Sequence, residues 1–154
     1  MRVLVAAVGK PRGEGLGAAI REYETRASRY WPLEIHEVRE ESARTTAPDL
    51  VRDREGARLL AALPAGAELV ACDVGGKAMS SEEFARWLQA KRESARDLAF
   101  ALGGAYGLST GVRERAVVRI ALAPWTLPHE LARLVLAEQL YRAGTIVRGE
   151  PYHK

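Results

Sequence analysis

The chain has 154 residues, 47% hydrophobic and 28% charged, a composition typical of a folded protein and not of a disordered one. That length suits a single domain, expected over residues 1–154, and the lone cysteine, Cys72, excludes an internal disulfide. The net charge of +3 excludes a polybasic tail, and the three histidines are too scattered for a metal motif. Of the 23 basic residues, 19 are arginines, which suit phosphates and base edges, although an arginine-rich codon bias explains the count equally well.

The N-terminal half alternates between apolar runs and helical spacing. Residues 2–8 form a short apolar run that ends at Gly9-Lys10-Pro11, which predicts a buried strand. Six apolar residues are too few for a signal peptide or a membrane span, so we expect a cytoplasmic protein of bacterial type without a membrane partner. The pattern then predicts a helix at 16–30, a strand at 33–38, a polar loop at 40–47 and a helix at 48–63.

The C-terminal half continues the alternation. Ser80 and Glu83 form a capping box, which opens a helix that runs to about Glu93. Pro128 suits the first turn of a helix that runs to about Ala143. The other predicted elements are strands at 67–73, 98–102 and 117–121, a short helix at 109–116, and a tail of about ten residues. Strands that alternate with helices predict an α/β domain with a parallel sheet flanked by helices.

The last predicted helix is apolar over most of its circumference. Its two apolar faces are formed by Leu131, Leu134 and Val135 and by Leu136, Leu140 and Ala143. Such a helix is either central to the core or lies at the interface of two copies. The pattern alone leaves both interpretations open.

Two glycine-containing segments resemble nucleotide-binding motifs only loosely. Gly75-Gly76-Lys77 lacks the earlier glycine and the following Ser or Thr of a phosphate-binding loop, so we interpret it as a tight turn after a strand. Residues 13–18 fit the dinucleotide fingerprint, with Glu34 about 20 residues further on, but Pro11 interrupts the approach from the strand. A nicotinamide-dependent enzyme is therefore a minor alternative.

Three later segments are stronger candidates for a binding site. Gly103-Gly104-Ala105-Tyr106-Gly107 directly follows a predicted strand, where open α/β sheets bind ligands. The stiff loop from Leu122 to His129 offers backbone groups to a polar ligand, with Trp125 available to cover it. In the terminal Pro151-Tyr152-His153-Lys154, the aromatic rings can stack on an exposed base and the lysine can meet a phosphate.

Taken in order, these segments resemble one known family. The residues are a strand ending in Asp73, a Gly-Lys turn, the GGxxG segment, Thr-Leu-Pro-His ending at His129, Leu140-Tyr141-Arg142-Ala143 and a terminal Pro-Tyr-His. Over essentially the whole chain they resemble the bacterial ribosomal RNA large subunit methyltransferase H family, of the SPOUT class. The resemblance implies that the C-terminal part of the α/β domain forms a deep trefoil knot and that the protein is an obligate homodimer.

The resemblance also implies an activity and its residues. Members of the family transfer a methyl group from S-adenosylmethionine to N3 of a pseudouridine in 23S ribosomal RNA, acting on the assembled 70S ribosome and without a metal. The implied donor-binding residues are Cys72, Gly103, Leu122, Ala123, Pro124, Trp125, Thr126 and Leu127. The implied catalytic residues, placed at the target base across the dimer or in the closing tail, are His129, Arg142, Tyr152 and His153.

The sequence departs from the family pattern at three places. Ala105-Tyr106 replaces the usual Pro-Glu, Ala123-Pro124-Trp125 replaces Ser-x-Leu, and Lys154 stands where arginine is common. These departures put the fine contacts of the loops in doubt but leave a donor site built from backbone groups intact. They also leave a second alternative, a ribosome-associated module that keeps the fold without catalysing the reaction.

Overall fold

The computed structural model describes Met1–Lys154 as strands that alternate with helices. In chain order the elements are β1 (Val3–Val8), α1 (Glu14–Ala27), β2 (Leu33–Val38), α2 (Pro48–Ala61), β3 (Glu68–Ala78), α3 (Ser81–Glu93), β4 (Leu98–Leu102), α4 (Thr110–Arg115), β5 (Val118–Ala121) and α5 (His129–Val147). All ten predicted elements are present. The predicted capping box is confirmed, because the Glu83 N–H donates to Ser80 Oγ (3.1 Å) and the Ser80 N–H to Glu83 Oε2 (2.7 Å).

The five strands form one parallel sheet in the order β2-β1-β4-β3-β5. Every residue of β1 and β4 is buried, as their uninterrupted apolar runs predict for strands covered on both faces. The register places Val3 opposite both Leu33 and Leu98. The predicted α/β class and the parallel pairing are therefore confirmed.

Helices cover both faces of this sheet, and each face has its own apolar core. On one face α1, α3 and α5 pack against alternate residues of β1, around Trp31, Phe100 and Leu140. On the other face α2 and α4 pack around a smaller cluster that includes Leu59 and Val112. The Trp31 indole N–H donates to the Leu140 carbonyl (2.8 Å), which ties α5 to the end of α1.

Strand β3 is longer than predicted and bends where it meets β5. Cys72 and Lys77 both pair with Ile120, so the residues between them bulge away from the regular ladder. A Cβ atom on Gly76 would lie 2.6 Å from the Arg119 carbonyl carbon, which only a glycine avoids. The predicted tight turn at Gly75-Gly76-Lys77 is therefore wrong, since this segment continues β3 past Asp73 as far as Ala78.

Helix α5 has one face buried in the core and another that is partly exposed to solvent. Leu136, Leu140 and Ala143 are buried in the core, whereas Leu131 is 37% exposed and Leu134 and Val135 are partly exposed. The helix ends at Val147, four residues beyond its predicted end. None of the five helices combines the length and the apolar content that a membrane span requires.

Candidate functional site

A cleft of about 140 Å³ lies where β4, β5 and the regular part of β3 end and α5 begins. The carboxyl ends of parallel strands form the usual ligand-binding edge of an open α/β sheet. The cleft is lined by Cys72, Asp73, Val74, Leu102, Gly103, Gly104, Gly107, Leu108, Leu122, Ala123, Trp125, Thr126, Leu127, His129 and Ala132. Seven of the eight residues proposed to bind the methyl donor are in this set; Pro124 is the exception.

One wall of the cleft is made of glycine backbone. The glycine loop, residues 103–107, folds back on itself, with the Gly107 N–H donating to the Gly104 carbonyl at 3.1 Å and Gly107 at a φ of 79°. A Cβ atom on Gly103 would lie 2.4 Å from the Gly107 carbonyl carbon. Backbone N–H and C=O groups are therefore open to a ligand here, because the side chains that would cover them are absent.

The opposite side of the cleft is the β5–α5 connection, whose Trp125 is 76% exposed at the rim. Cys72 stands at the end of the regular part of β3 and lines the same space. Burial raises the pKa of its thiol to about 12, so the thiol is protonated at neutral pH. Cys72 therefore supplies backbone groups and a neutral side chain to the cleft, and no thiolate.

His129 is the first residue of α5, and it lines the cleft beside the glycine loop. Asp73 also lines the cleft, and its carboxylate lies 3.4 Å from the Arg119 guanidinium. These are the two titratable side chains, apart from the protonated Cys72, that reach the cleft. An imidazole and a charge-paired carboxylate thus accompany a wall made mainly of backbone and apolar groups.

The other three predicted catalytic residues form a separate group, here called the tail cluster: Arg142, Tyr152 and His153 with Glu82 and Glu138. Arg142 binds Glu138 Oε1 through Nε (2.9 Å) and Nη2 (2.6 Å), and its Nη1 lies 3.1 Å from His153 Nδ1. The Tyr152 hydroxyl donates to the same Glu138 oxygen (3.0 Å), and His153 Nε2 lies 2.8 Å from Glu82 Oε1. The C-terminal residues are therefore docked on α3 and α5.

The electrostatics of the tail cluster hold this docked state. The hydrogen bond with Glu138 raises the pKa of Arg142, and the hydrogen bond with His153 lowers the pKa of Glu82. Burial, together with hydrogen bonds to Tyr23 and Glu138, raises the pKa of the Tyr152 phenol. At neutral pH the cluster thus combines a cation, two carboxylates and a neutral phenol.

Within one chain the cleft and the tail cluster do not meet through α5. His129 and Arg142 are 13 residues apart on this helix, which separates their backbones by about 20 Å at 1.5 Å per residue. His129 alone of the four predicted catalytic residues lines the cleft. One chain therefore has the cleft at one end of α5 and a cluster of polar side chains near the other end.

Sequence reasoning missed several polar residues of α5 and its neighbours. Glu138 lies four residues before Arg142, a helical ion-pair spacing that could have signalled the contact. Arg133 is 7% exposed and binds Glu24 (2.8 Å) and Glu37 (2.6 Å), a buried ion pair that joins α5 to α1 and β2. No local pattern connects residues about 100 positions apart, so this bridge had no signal in the sequence.

The geometry does not support the dinucleotide alternative. Gly13 caps α1 on the side where β1 ends, but Glu34 pairs with Leu4 near the start of β1. The acidic residue of that fingerprint must reach the same edge as the glycines. Glu34 instead lies towards the opposite edge, where its carboxylate faces Arg2. No three His, Cys, Asp or Glu side chains are grouped so as to hold a metal ion.

Comparison with known proteins defines the class of this fold and cleft. The family model described as a predicted SPOUT methyltransferase matches residues 1–153. A solved structure titled as that of a hypothetical protein superposes with a TM-score of 0.53 and 18% identity, covering 96% of this chain and 81% of the other. That likeness supports the fold alone.

Curated relatives narrow the class. "Ribosomal RNA large subunit methyltransferase H" from Gemmatimonas aurantiaca is 63% identical over 154 residues and covers both chains completely. Proteins of the same name from Geotalea daltonii (99% of each chain) and Listeria monocytogenes (100% of each) are both 44% identical. The chain therefore belongs to the SPOUT methyltransferase family, in the group of the ribosomal RNA large subunit methyltransferase H proteins, which confirms the resemblance noted in the sequence. The trefoil knot is implied by this fold.

Proposed function

We propose that this chain methylates ribosomal RNA of the large subunit, taking the methyl group from S-adenosylmethionine. The finer assignment is N3 of a pseudouridine in the 23S RNA of the assembled 70S ribosome, with residues 1–154 acting as one domain. One observation carries the proposal: a cleft with a glycine-backbone wall lies at the carboxyl edge of the sheet of a SPOUT methyltransferase. The full-length similarity to proteins named for ribosomal RNA methylation supports the choice of substrate.

The cleft fits the methyl donor because its walls offer what a nucleoside with a charged sulfur needs. Backbone groups at Cys72, at Gly103 and along residues 122–127 are available for hydrogen bonds, and Trp125 can cover an apolar part of the ligand. A Cβ atom at Gly103 would meet the Gly107 backbone across the folded loop, so the bare backbone wall depends on glycine. When bound, S-adenosylmethionine supplies a methyl group on a positively charged sulfur, which is a good leaving group without a metal.

The side chains of the protein would then have to accept the one proton that the target base loses. The N3 atom of the target base carries a proton that must leave as the new carbon–nitrogen bond forms. His129 is placed at the cleft to accept it, since an imidazole can exchange protons near neutrality. Arg142 would supply positive potential to the base as it loses its proton or would hold a phosphate, and Tyr152 and His153 would close over the substrate.

This division of roles requires a homodimer. His129 and Arg142 are about 20 Å apart along one helix, so a second copy has to bring its tail cluster to the cleft of the first. The outer face of α5, with Leu131, Leu134 and Val135 partly exposed, is an apolar surface on which that copy can pack. Light scattering at micromolar concentration should give twice the mass of 16.9 kDa, and a monomer mass would contradict the dimer.

Ribosome binding should depend on salt. A net charge of +3 per chain is small for an RNA-binding protein, and a dimer doubles it. Contacts between arginines and phosphates release counterions, so affinity for ribosomes falls as salt rises. An affinity that does not change with salt would argue against contact with the RNA backbone.

The decisive experiment is transfer of radiolabelled methyl from S-adenosylmethionine to 70S ribosomes that lack the modification, with the labelled nucleotide mapped. We expect label on one pseudouridine of the 23S RNA, and a loss of rate with His129→Ala. Label at another nucleotide would support the methyltransferase activity but show that the proposed target nucleotide is wrong. Ribosome binding without any label would favour the non-catalytic module, in which the departures at Ala105-Tyr106 and Ala123-Pro124-Trp125 have removed activity.

A further inference from the structure

A buried carboxylate lies next to the cleft without a full set of partners. Glu55, on α2, is only 3% exposed. Its Oε2 accepts a hydrogen bond from the Glu41 N–H (3.0 Å), but its Oε1 has no hydrogen-bond partner. No Lys, Arg or His side chain lies within ion-pair distance of it, in contrast to Glu24, whose carboxylate is paired with Arg133. A buried acceptor left unpaired is destabilising, so its presence calls for a physical reason.

The unpaired oxygen points at the back of the glycine loop. A Cβ atom on Gly104 would lie 2.7 Å from Glu55 Oε1, so the carboxylate is packed directly against the Gly104 backbone. Gly104 lines the cleft, whereas Glu55 does not. One layer of backbone without a side chain therefore separates the carboxylate from the space proposed for the methyl donor.

The carboxylate is held in this place by its own helix. The next residue, Gly56, packs so closely on the cap of α4 that a Cβ atom there would lie 2.3 Å from Ser109 Oγ. Ser109 Oγ in turn accepts the Val112 N–H, which fixes the start of α4. Helix α2 thus packs closely on both Gly104 and Ser109, which are the two ends of the segment from the glycine loop to α4.

We propose that Glu55 is a positioning residue that selects the occupant of the cleft by charge, favouring a ligand with a positive sulfur centre over its neutral product. The inference rests on the proposed function. In the transfer, the bond between sulfur and methyl carbon breaks, its electron pair stays on sulfur, the methyl carbon bonds to N3, and the N3 proton leaves. The sulfur centre therefore changes from cationic to neutral.

Glu55 would affect turnover because its interaction with the ligand differs between the cationic donor and the neutral product. In the proposal, the Glu55 carboxylate behind this layer of backbone attracts the cationic donor more strongly than neutral S-adenosylhomocysteine, which eases the replacement of product by fresh donor. The other carboxylate at the cleft, Asp73, is partly neutralised by Arg119 at 3.4 Å. Glu55 is the carboxyl group beside the cleft that has no cation within ion-pair distance.

The test measures the affinities of three ligands for the dimeric protein by calorimetry: S-adenosylmethionine, the cationic amine analogue sinefungin, and neutral S-adenosylhomocysteine. Two charges separated by one layer of backbone, at an effective dielectric of about 20, interact strongly enough for a preference of about fivefold. We expect Glu55→Gln to weaken both cationic ligands by that factor and to leave S-adenosylhomocysteine within about twofold. Product inhibition of methyl transfer should rise in parallel.

Two variants control for packing and for overall charge. Glu55→Asp keeps the charge but shortens the side chain, so the preference for cationic ligands should remain even if all affinities fall. Asp53→Asn removes a carboxylate from an exposed position of the same helix and should change no affinity ratio. Circular dichroism and thermal melting establish that each variant is folded.

Distinct results would overturn distinct claims. An equal loss for all three ligands in Glu55→Gln would show that Glu55 only supports the loop, and the charge proposal would be wrong. Failure of the wild-type protein to bind any of the three would contradict the proposed function itself. If Glu55→Gln does not fold, a preference for sinefungin over S-adenosylhomocysteine that persists in Asp73→Asn supports the proposal, and equal affinity for the two ligands in the wild type overturns it.

Discussion

The cleft and the tail cluster are built from different parts of the polypeptide. The cleft owes its shape to backbone, since Gly103 and Gly104 form a wall with no side chain. The tail cluster is made of side chains, with one Glu138 oxygen accepting from both Arg142 and Tyr152. The shape of the cleft therefore depends on positions that lack a Cβ atom. The contacts of the tail cluster depend instead on the functional groups of its side chains.

This difference bears on the departures from the family pattern that lie around the cleft; Lys154 adjoins the tail cluster instead. Ala105, Tyr106, Ala123 and Trp125 lie on the loops around the cleft, where the proposed contacts with the donor are made by backbone groups. The tail cluster retains the arginine, tyrosine and histidine that the resemblance implies. A site of backbone groups tolerates side-chain replacement, and a site of ion pairs does not.

The largest effect is expected where a side chain is added to the backbone wall. Gly103→Ala would place a Cβ atom 2.4 Å from the Gly107 carbonyl carbon, and the glycine loop would have to open. At about 3 kcal/mol for such overpacking, the affinity for S-adenosylmethionine should fall by about a hundredfold in calorimetry. Gly15→Ala is the matched control, because nothing lies within 4 Å of a Cβ atom there, and it should bind normally. Normal binding by Gly103→Ala would mean that this wall is not part of the donor site.

A smaller effect is expected in the tail cluster, where a substitution should lower the rate of methyl transfer and leave donor affinity unchanged. Arg142→Ala removes the guanidinium that bridges Glu138 and His153, a charge-assisted contact of about 1.5 kcal/mol. The rate of single-turnover methyl transfer should fall about tenfold while donor affinity stays unchanged, because Arg142 does not line the cleft. Arg115→Ala, which removes an exposed arginine from α4, should change neither quantity. A loss of donor affinity in Arg142→Ala would show that the tail cluster contributes to donor binding, and it would contradict the separation of the two regions.

The fold was predictable because its signals are local. Each strand is a short apolar run bounded by polar, glycine or proline residues, and alternation with helices requires parallel pairing, as the order β2-β1-β4-β3-β5 confirms. The bulge of β3 was missed because it arises from contact of Gly76 with Arg119, 43 positions further on. The apolar pattern fades after Val74 and gives no sign that the strand continues.

The candidate site was predictable in part for the same reason. Residues of the cleft stand in loops directly after strands, and Glu138 is one helical turn from Arg142. The contact between His153 and Glu82 spans 71 positions and has no local pattern. Nor does the sequence show that Glu55 is buried, since a glutamate on a polar helix is expected to face solvent.

Low pH should have a modest effect on the docking of the C-terminal residues in the tail cluster. The hydrogen bond with His153 lowers the pKa of Glu82 below its ordinary value of 4.5. A carboxyl group with a lowered pKa stabilises the docked tail above its ordinary pKa, and this contribution is lost as pH falls through the lowered value. The Tyr152 ring signals in NMR spectra should therefore shift below pH 4.5. Glu82→Gln should abolish the shift, Glu93→Gln on the same helix should retain it, and a shift that persists in Glu82→Gln would assign the tail to other contacts.

The smallest effect is expected for a side chain that lines the cleft but offers it only backbone. Cys72→Val replaces the thiol by an apolar group of similar volume and keeps the strand pairing with Leu102 and Ile120. Donor affinity should stay within about twofold of the wild type, since such volume-conserving changes are well tolerated. Because the pKa of the buried thiol is about 12, the dependence of donor affinity on pH between about pH 6 and about pH 9 should be the same in both proteins. A tenfold loss, or a pH dependence that disappears with Cys72→Val, would show that the sulfur itself contacts the ligand, and the cleft would no longer be a site of backbone groups alone.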